Sequence, residues 1–185
     1  MTRNMFLFII FLFPAIFGLV LLAMAEATSS PDLIDLGYAK HVPTFVNETT
    51  SGRKIRIYKN IRFANPPTGY LRFRLPDTDL PVIDGIQDGD VPDLANDCVS
   101  SAPAAAPFPP YNGTTWGKED CLFLDVYVPD DVQLGDDVPV LHWIVGSAYA
   151  FGSKDMFVHP MGLFNLVGKG TKFIYVANNY RYLLS

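Results

Sequence analysis

The sequence predicts an α/β fold in which a β-hairpin leads into further, mostly apolar strands. Residues 122–128 form an apolar run that stops at Pro129. Residues 138–145 and 172–177 are almost continuously apolar, which is typical of strands covered on both faces. With 185 residues, the chain is long enough for one domain with a single hydrophobic core.

Composition and charge exclude several classes of protein. Hydrophobic residues make up 49% of the chain and aromatic residues 14%, which excludes an intrinsically disordered protein. The net charge is −5 and the sequence has no dense cluster of Lys and Arg, so we expect no nucleic-acid partner. The histidines, His41, His142 and His159, are far apart and match no metal-ligand spacing, so we expect neither a metal nor a cofactor.

The first 25 residues have the features of a secretory signal peptide. Arg3 provides a positive charge, residues 5–23 are uncharged and strongly apolar, and Ala23-Met24-Ala25 is a small-x-small cleavage site. The same apolar run is just long enough to cross a bilayer, so an uncleaved anchor formed by residues 5–23 is the alternative. Residues 26–185 therefore form the mature part in an oxidising compartment, either secreted or held at the membrane by this segment alone.

Residues 42–63 have the sequence of a β-hairpin. Residues 42–46 and 55–58 form its arms, and the polar, Gly-containing stretch between them predicts the turn. Asn47 begins an N-glycosylation triplet at that turn. A second triplet begins at Asn112, within the loop-rich stretch of residues 77–117.

The apolar run 138–145 leads into a tight loop. Small residues follow in Gly146-Ser147-Ala148, where the backbone can turn with its N–H groups exposed. His142, inside the run, is predicted to be a hydrogen-bonded imidazole in the core. Residues 156–165 are predicted to be irregular, because Pro160 blocks a helix.

Four segments together resemble the type-B carboxylesterases, the family that includes the cholinesterases and fungal lipases. The segments are EDCLFLDVYVP at residues 119–129, VLHWIVGSAYAFGS at 140–153, YKNIRFANPPTGYLRFRLP at 58–76 and NYR at 179–181. The resemblance covers residues 33–181, and the segments occur in the family's order. It implies that residues 26–185 are the N-terminal portion of an α/β-hydrolase fold, with a β-hairpin and the first strands of a mixed central sheet. It also implies that the substrate class is carboxylic esters.

The resemblance implies that Ser147 and Ala148 are the oxyanion-hole residues. They stand where the family's amide donors stand, directly after a buried strand. The family's usual residues at these two positions are glycines or, at the second of them, alanine. Because the donors are backbone N–H groups, a side chain matters only where the backbone needs a positive φ.

The resemblance also implies two structural pairs and one backbone conformation. Cys98 and Cys121 correspond to cysteines that close a loop over the active-site entrance, and an oxidising compartment favours a disulfide between these only two cysteines. Arg72 and Glu119 correspond to a structural ion pair, which makes Glu119 a fold element. Asn60 replaces a glycine, so we expect it to adopt the left-handed conformation.

The catalytic groups of an α/β hydrolase do not occur in this sequence. Such an enzyme needs a Ser in a G-x-S-x-G elbow, followed by an acid and a His, and the 185 residues contain no G-x-S-x-G. We therefore assign no catalytic residue, and we expect that this chain alone does not hydrolyse esters. Two hypotheses follow: the N-terminal part of a secreted carboxylic ester hydrolase, or a non-catalytic secreted module that binds partners.

The strands that flank run 172–177 are expected downstream, leaving that run at an open apolar edge.

The signal-peptide interpretation predicts where the secreted protein begins. Signal peptidase cleaves after small-x-small sites, so N-terminal sequencing of secreted material should start at Glu26. Recovery of chains that begin at Met1 from a membrane pellet would support the anchor formed by residues 5–23 instead.

Overall fold

The computed structural model describes residues 32–92, 94–105, 113–146, 149–157 and 159–182. Its strands are β1 (Ile34–Asp35), β2 (Lys40–His41), β3 (Phe45–Glu48), β4 (Lys54–Arg62), β5 (Ile86–Gln87), β6 (Ser100–Ser101), β7 (Thr115–Trp116), β8 (Phe123–Pro129), β9 (Val140–Ile144) and β10 (Ile174–Asn178). One α-helix, α1 (Met161–Val167), and one short 3-10 helix (Gly69–Leu71) complete the described elements. The predicted signal peptide or anchor and the glycosylation triplet at Asn112 lie outside the described residues.

A five-stranded mixed sheet forms the centre of the fold. The strand order is β3-β4-β8-β10-β9, and neighbouring strands are antiparallel except for β10 and β9, which are parallel. Two smaller sheets, β1-β2-β5 and β6-β7, lie outside it. The prediction of a mixed sheet is therefore confirmed at this level, in a structure made mostly of strands.

The N-terminal hairpin forms from β3 and β4, as the alternation predicts. Phe45 pairs with Ile57 and Glu48 pairs with Lys54. Asn47 is exposed, but it lies within β3 opposite Ile55 rather than in the turn. The first arm is shifted toward the turn relative to the predicted residues 42–46, and the second arm is longer than the predicted residues 55–58, because polar residues also enter the ladder.

The position of β10 corrects the prediction of an open edge at residues 172–177. Tyr175 pairs with Tyr127 of β8 on one side and with Leu141 of β9 on the other, so β10 is an interior strand. The chain runs from β9 through α1 to β10, and β10 lies between β8 and β9. A parallel pair needs such a crossover, and a helix is its usual form.

The strand β9 corrects a second prediction, because it is not covered on both faces. It is the edge strand of the sheet, and the exposed fractions of Val140 and Ile144 are 58% and 63%. His142 is exposed too and is not part of the core; its Nε2 lies 2.6 Å from Oδ1 of Asn178. An apolar run indicates that a strand is suited to burial. Whether the strand is buried depends on which elements pack against it.

The helix α1 corrects the expectation that Pro160 blocks helix formation. Pro160 occupies the N-cap, and α1 begins at the next residue. Proline is accepted at a helix start because its missing N–H would have no partner in the first turn. Gly168, with φ of +64°, ends the helix, and its N–H bonds the carbonyl oxygen of Phe164.

The principal core lies between this helix and the sheet. Phe164 is fully buried and stacks on Phe173, with ring centroids 4.7 Å apart and planes 11° apart. The rings of Tyr127 and Tyr175 meet edge to face beside them, with centroids 5.6 Å apart. The buried members of this core are Ile55, Ile57, Tyr127, Phe164, Phe173, Tyr175 and Ala177.

The helices of the described residues are short. Their only α-helix has seven residues, and none of their helices has the length and hydropathy needed to cross a membrane.

The two faces of α1 should differ strongly in their contribution to stability. Phe164→Ala removes a fully buried ring and should lower the free energy of unfolding by about 3–5 kcal/mol. Leu166→Ala, two residues away and 84% exposed, is the matched control and should change it by less than about 0.5 kcal/mol. Urea unfolding followed by circular dichroism measures both, and equal effects would show that α1 does not pack as described.

Candidate functional site

The candidate site is the loop that follows β9, residues 145–157. Ser147 and Ala148, the predicted oxyanion-hole residues, lie outside the described residues, so their amide directions stay a prediction. The described residues on either side fix where this loop starts and ends. Tyr149, directly after the pair, is 73% exposed and has φ of +62°, a conformation that is uncommon for an aromatic residue.

Two consecutive residues after β10 hold both ends of this loop. The hydroxyl of Tyr180 donates to the carbonyl oxygen of Val145, at 2.5 Å, immediately before the loop. The side-chain oxygen of Asn179 accepts from the backbone N–H of Lys154, at 2.9 Å, beyond it. The loop is therefore anchored to the C-terminal end of an interior strand at both ends.

The other end of the Asn179 side chain reaches a third part of the chain. Its amide nitrogen donates to the carbonyl oxygens of Asn96, at 2.8 Å, and of Cys121, at 3.3 Å. Asn179 is 1% exposed, so each of these bonds is made away from water. The sequence drew attention to the Asn-Tyr-Arg segment through a family resemblance, but it did not indicate this bridging role.

The loop closed by Cys98 and Cys121 packs beside the candidate site. The structure joins the two sulfurs in a disulfide with a Cα–Cα distance of 4.9 Å, as predicted. Gly117 passes so close to Cys98 that a Cβ atom at this position would lie 2.3 Å from the Cys98 carbonyl oxygen. The backbone N–H of Ser101 donates to the carbonyl oxygen of Ala150, at 2.9 Å, which ties the disulfide loop to the candidate loop.

The ring of Trp116 lies at the same junction. Its indole N–H donates to Oδ2 of Asp97, at 3.1 Å, and its ring centroid is 6.5 Å from that of Phe151 in the candidate loop. Burial raises the pKa of the Asp97 carboxyl, and the bond from Trp116 opposes this rise. Trp116 thus connects the disulfide loop to the candidate loop.

A cluster of four charged side chains, two of them buried, lies where the candidate loop ends. Nζ of Lys154 is 3.1 Å from Oδ1 of Asp125 and 3.2 Å from Oδ2 of Asp155. Nζ of Lys59 is 3.0 Å from Asp155 and 4.0 Å from Oδ2 of Asp125. The side chains of Asp125 and Lys154 are 0% and 3% exposed, so this ion pair is in the interior. No periodicity or motif in the sequence indicates it, because the partners are on β8 and in a loop.

The pKa values of the two carboxyl groups in this cluster are shifted in opposite directions. Burial raises the pKa of Asp125 from 3.8 to about 6, against the attraction of Lys154. Partial desolvation opposes ionisation of Asp155, but Lys154 and Lys59 both attract its charged form and lower its pKa. Since the two groups interact, they titrate as a pair in which Asp155 ionises first.

Arg72 and Glu119 pair as predicted, but in solvent. Nε and Nη2 of Arg72 lie 2.5 and 2.8 Å from the two Glu119 oxygens. Arg72 lowers the pKa of Glu119, and both carboxylate oxygens are engaged in the pair. The side chains are 49% and 28% exposed, so water screens the attraction and the large cost expected for a buried pair does not apply.

A second Arg–carboxylate pair, which the sequence did not indicate, lies next to it. Arg62 binds both oxygens of Asp120, at 2.6 and 2.9 Å, and its guanidinium lies 4.4 Å from the centroid of the Phe123 ring. The neighbouring acids Glu119 and Asp120 therefore hold separate parts of the chain. Among the described residues, no group of three His, Cys, Asp or Glu side chains could hold a metal ion.

Comparison with known proteins identifies similar sequences. Residues 43–183 match the sequence profile of the carboxylesterase family. A secreted triacylglycerol lipase of Gibberella zeae is 31% identical over 150 residues, which cover 76% of this chain and 26% of the lipase. A carboxylesterase of Penicillium expansum is 31% identical over 191 residues, which cover 80% of this chain and 33% of that enzyme.

More distant relatives include the cholinesterases. An acetylcholinesterase of Electrophorus electricus is 27% identical over 176 residues, which cover 92% of this chain and 26% of that enzyme. The chain thus spans about a quarter to a third of the length of these curated relatives.

The buried ion pair should be sensitive to the loss of one partner. Lys154→Met leaves the Asp125 charge without its closest cation and should lower the free energy of unfolding by about 3–5 kcal/mol at neutral pH. The double variant Asp125→Asn with Lys154→Met removes both charges and should recover most of that loss. Lys172→Met, which breaks an exposed pair with Asp136, is the control and should have little effect.

The pH dependence of these variants provides a second measurement. The pKa of Asp125 is higher in the folded state, so between about pH 4 and pH 6 the folded state binds more protons and this group's contribution to stability falls as the pH rises. Asp155, whose pKa is lowered, contributes stability that is lost as the pH falls. Lys154→Met raises the Asp125 pKa further, so its loss of stability should be largest above about pH 6 and shrink toward pH 4. A pH-independent loss would contradict the ion pair.

Proposed function

Because the chain belongs to the carboxylesterase family, we propose that it forms the N-terminal part of a secreted carboxylic ester hydrolase with the α/β-hydrolase fold. In this proposal the central mixed sheet supports the candidate loop after β9, and the loop supplies two oxyanion-hole donors. The Ser nucleophile, the acid and the His come from sequence outside these 185 residues. The substrate is a carboxylic ester, the class on which the family acts.

The anchoring of the candidate loop is the observation that supports this proposal best. An oxyanion hole stabilises a transition state only if its donors are held in place before charge develops. Val145 and Lys154, on either side of Ser147 and Ala148, are bonded to Tyr180 and Asn179. A loop fixed at both ends by an interior strand meets that requirement.

The chemical role of Ser147 and Ala148 follows from the reaction. When a nucleophile attacks an ester carbonyl carbon, the carbonyl oxygen becomes an oxyanion, and the two backbone N–H groups would donate to it. The side chains of Ser147 and Ala148 are small, so the backbone can come close to the substrate. The anchors beyond the loop keep the two N–H groups from moving apart as the charge forms.

Three observations support secretion. The disulfide between Cys98 and Cys121 suits an oxidising compartment. Asn47, the first residue of a glycosylation triplet, is exposed. One relative is a secreted lipase.

The oxyanion-hole assignment can be tested in the protein encoded by the complete transcript. Ala148→Pro removes one backbone N–H and should lower kcat on a short-chain nitrophenyl ester by about 10²–10³-fold, with a much smaller change in KM. Ala148→Gly keeps the N–H and is the matched control, which should retain activity near that of the parent. Residues 26–185 alone should show no turnover above an inactive protein.

Several outcomes would contradict the proposal. Equal activity of Ala148→Pro and Ala148→Gly would show that this N–H does not stabilise the oxyanion. Turnover by residues 26–185 that a serine-directed phosphonate abolishes would show that the nucleophile lies within this chain. A reading frame that closes without G-x-S-x-G would support the non-catalytic binding module instead.

A further inference from the structure

An aromatic residue and a glycosylation triplet lie side by side on β3. Residues 45–49 have the sequence FVNET, in which Phe45 precedes Asn47 by two positions and Thr49 follows it by two. β3 stands at one end of the strand order β3-β4-β8-β10-β9, and β4 is its one partner among the described strands. The margin of the central sheet at β3 therefore has room for a bulky group.

The side chains of Phe45 and Asn47 share one face of the sheet. Side chains alternate between the two faces along a strand, so residues two positions apart point the same way, with Cα atoms about 7 Å apart. The ladder agrees, since Phe45 pairs with Ile57 and Asn47 pairs with Ile55, and both partners belong to the principal core. Phe45 and Asn47 thus lie at the margin of the face that α1 covers.

Both side chains are accessible to solvent at this margin. Phe45 is 49% exposed, and Asn47 is exposed as well. Val46, which points to the opposite face, is 53% exposed. A glycan attached to Asn47 would therefore begin next to the exposed part of the Phe45 ring and away from the side chain of Val46.

The last residue of the triplet indicates when a glycan is attached. The triplet specifies glycosylation through its Thr, so the transferase must reach Thr49. In the folded protein Thr49 is 4% exposed, and its hydroxyl oxygen accepts from the backbone N–H of Arg53 at 2.9 Å. Attachment must therefore precede closure of the hairpin of β3 and β4, so the sugar is in place when the hairpin forms.

We propose that Asn47 carries an N-linked glycan whose first sugar packs on the ring of Phe45 and stabilises the hairpin of β3 and β4. One face of an N-acetylglucosamine ring presents C–H groups with a slight positive charge, which the negative face of an aromatic ring attracts. The contact also removes apolar surface of Phe45 from water. This inference rests on the secretion in the proposed function, but it uses none of the oxyanion-hole residues.

The attachment is a transfer of an oligosaccharide from a lipid-linked diphosphate donor. A bond forms between the amide nitrogen of Asn47 and the anomeric carbon of the first sugar, while the bond from that carbon to the diphosphate oxygen breaks. The diphosphate leaves with the electron pair, and the amide nitrogen loses one proton to a base of the transferase. No oxidant or reductant takes part.

Trimmed glycoproteins test the contact of the first sugar. The parent is the protein encoded by the complete transcript, secreted from a eukaryotic host, with Asn112→Gln removing the other triplet in these 185 residues. An endoglycosidase that leaves one N-acetylglucosamine on each occupied Asn trims the parent and every variant. Glycopeptide mass spectrometry should find this sugar on Asn47. Thermal unfolding should show a midpoint about 1–2 °C lower for Asn47→Gln than for the parent.

Variants at Phe45 and Val46 assign this difference to the aromatic ring. With Phe45→Ala, adding Asn47→Gln should change the midpoint by less than about 0.5 °C, because the ring under the sugar is gone. Phe45→Leu keeps apolar volume without a ring and gives the same comparison in a variant that disturbs folding less. Val46→Ala is the matched control on the opposite face and should keep the full sugar-dependent difference. Phe45→Tyr keeps an aromatic face and should keep that difference too.

Three results would overturn the proposal, and they separate it from the proposed function. Sugar on other triplets of the secreted protein but not on Asn47 would refute the glycan at this position alone. An equal effect of Asn47→Gln with Phe45, with Leu and with Ala at position 45 would show that the sugar does not pack on the ring. Absence of sugar from every triplet would contradict entry into the secretory pathway, and with it the secretion in the proposed function.

Discussion

The side chain of Asn179 imposes the constraint on which the rest of this structure depends. A buried primary amide must find partners for both its oxygen and its N–H groups, and here those partners come from three separate parts of the chain. Lys154 N–H, the Asn96 carbonyl and the Cys121 carbonyl converge on it. These hydrogen bonds join the candidate loop and the start of the disulfide loop to the end of β10.

The charged groups near the candidate site divide into two kinds, and burial separates them. Arg72 and Glu119 form a bidentate pair that is partly exposed to solvent. The pair fixes the relative position of two chain segments but contributes little to the free energy of unfolding. Asp125 with Lys154 is buried, where each charge would be costly alone. The buried pair also attaches the candidate loop to β8, through the side chain of Lys154, whose backbone N–H bonds Asn179.

One of the two edges of the central sheet lies at β9, directly before the candidate loop. Val140 and Ile144 are mostly exposed there, although their sequence is typical of a covered strand. An edge strand with apolar side chains and free backbone groups readily pairs with another chain unless something covers it. Since the curated relatives are about three to four times longer than the matched segment, a whole protein of this family has sequence available for that role. We therefore expect residues 26–185, expressed alone, to be prone to aggregation at this edge.

The sequence alone was sufficient for the features that depend on local pattern or on a specific motif. The hairpin of β3 and β4, the strands β8 and β10, the left-handed Asn60, the disulfide of Cys98 and Cys121 and the pairing of Arg72 with Glu119 were all predicted. The strand order was not predictable, because a periodic run specifies a strand but not its neighbours. Several features depend on contacts between residues far apart in the chain. They are the pairing of β10 on both sides, the bonds of Asn179, the Asp125–Lys154 pair and the exposure of His142. Such contacts depend on how the crossover packs, and no local signal in a single sequence encodes that.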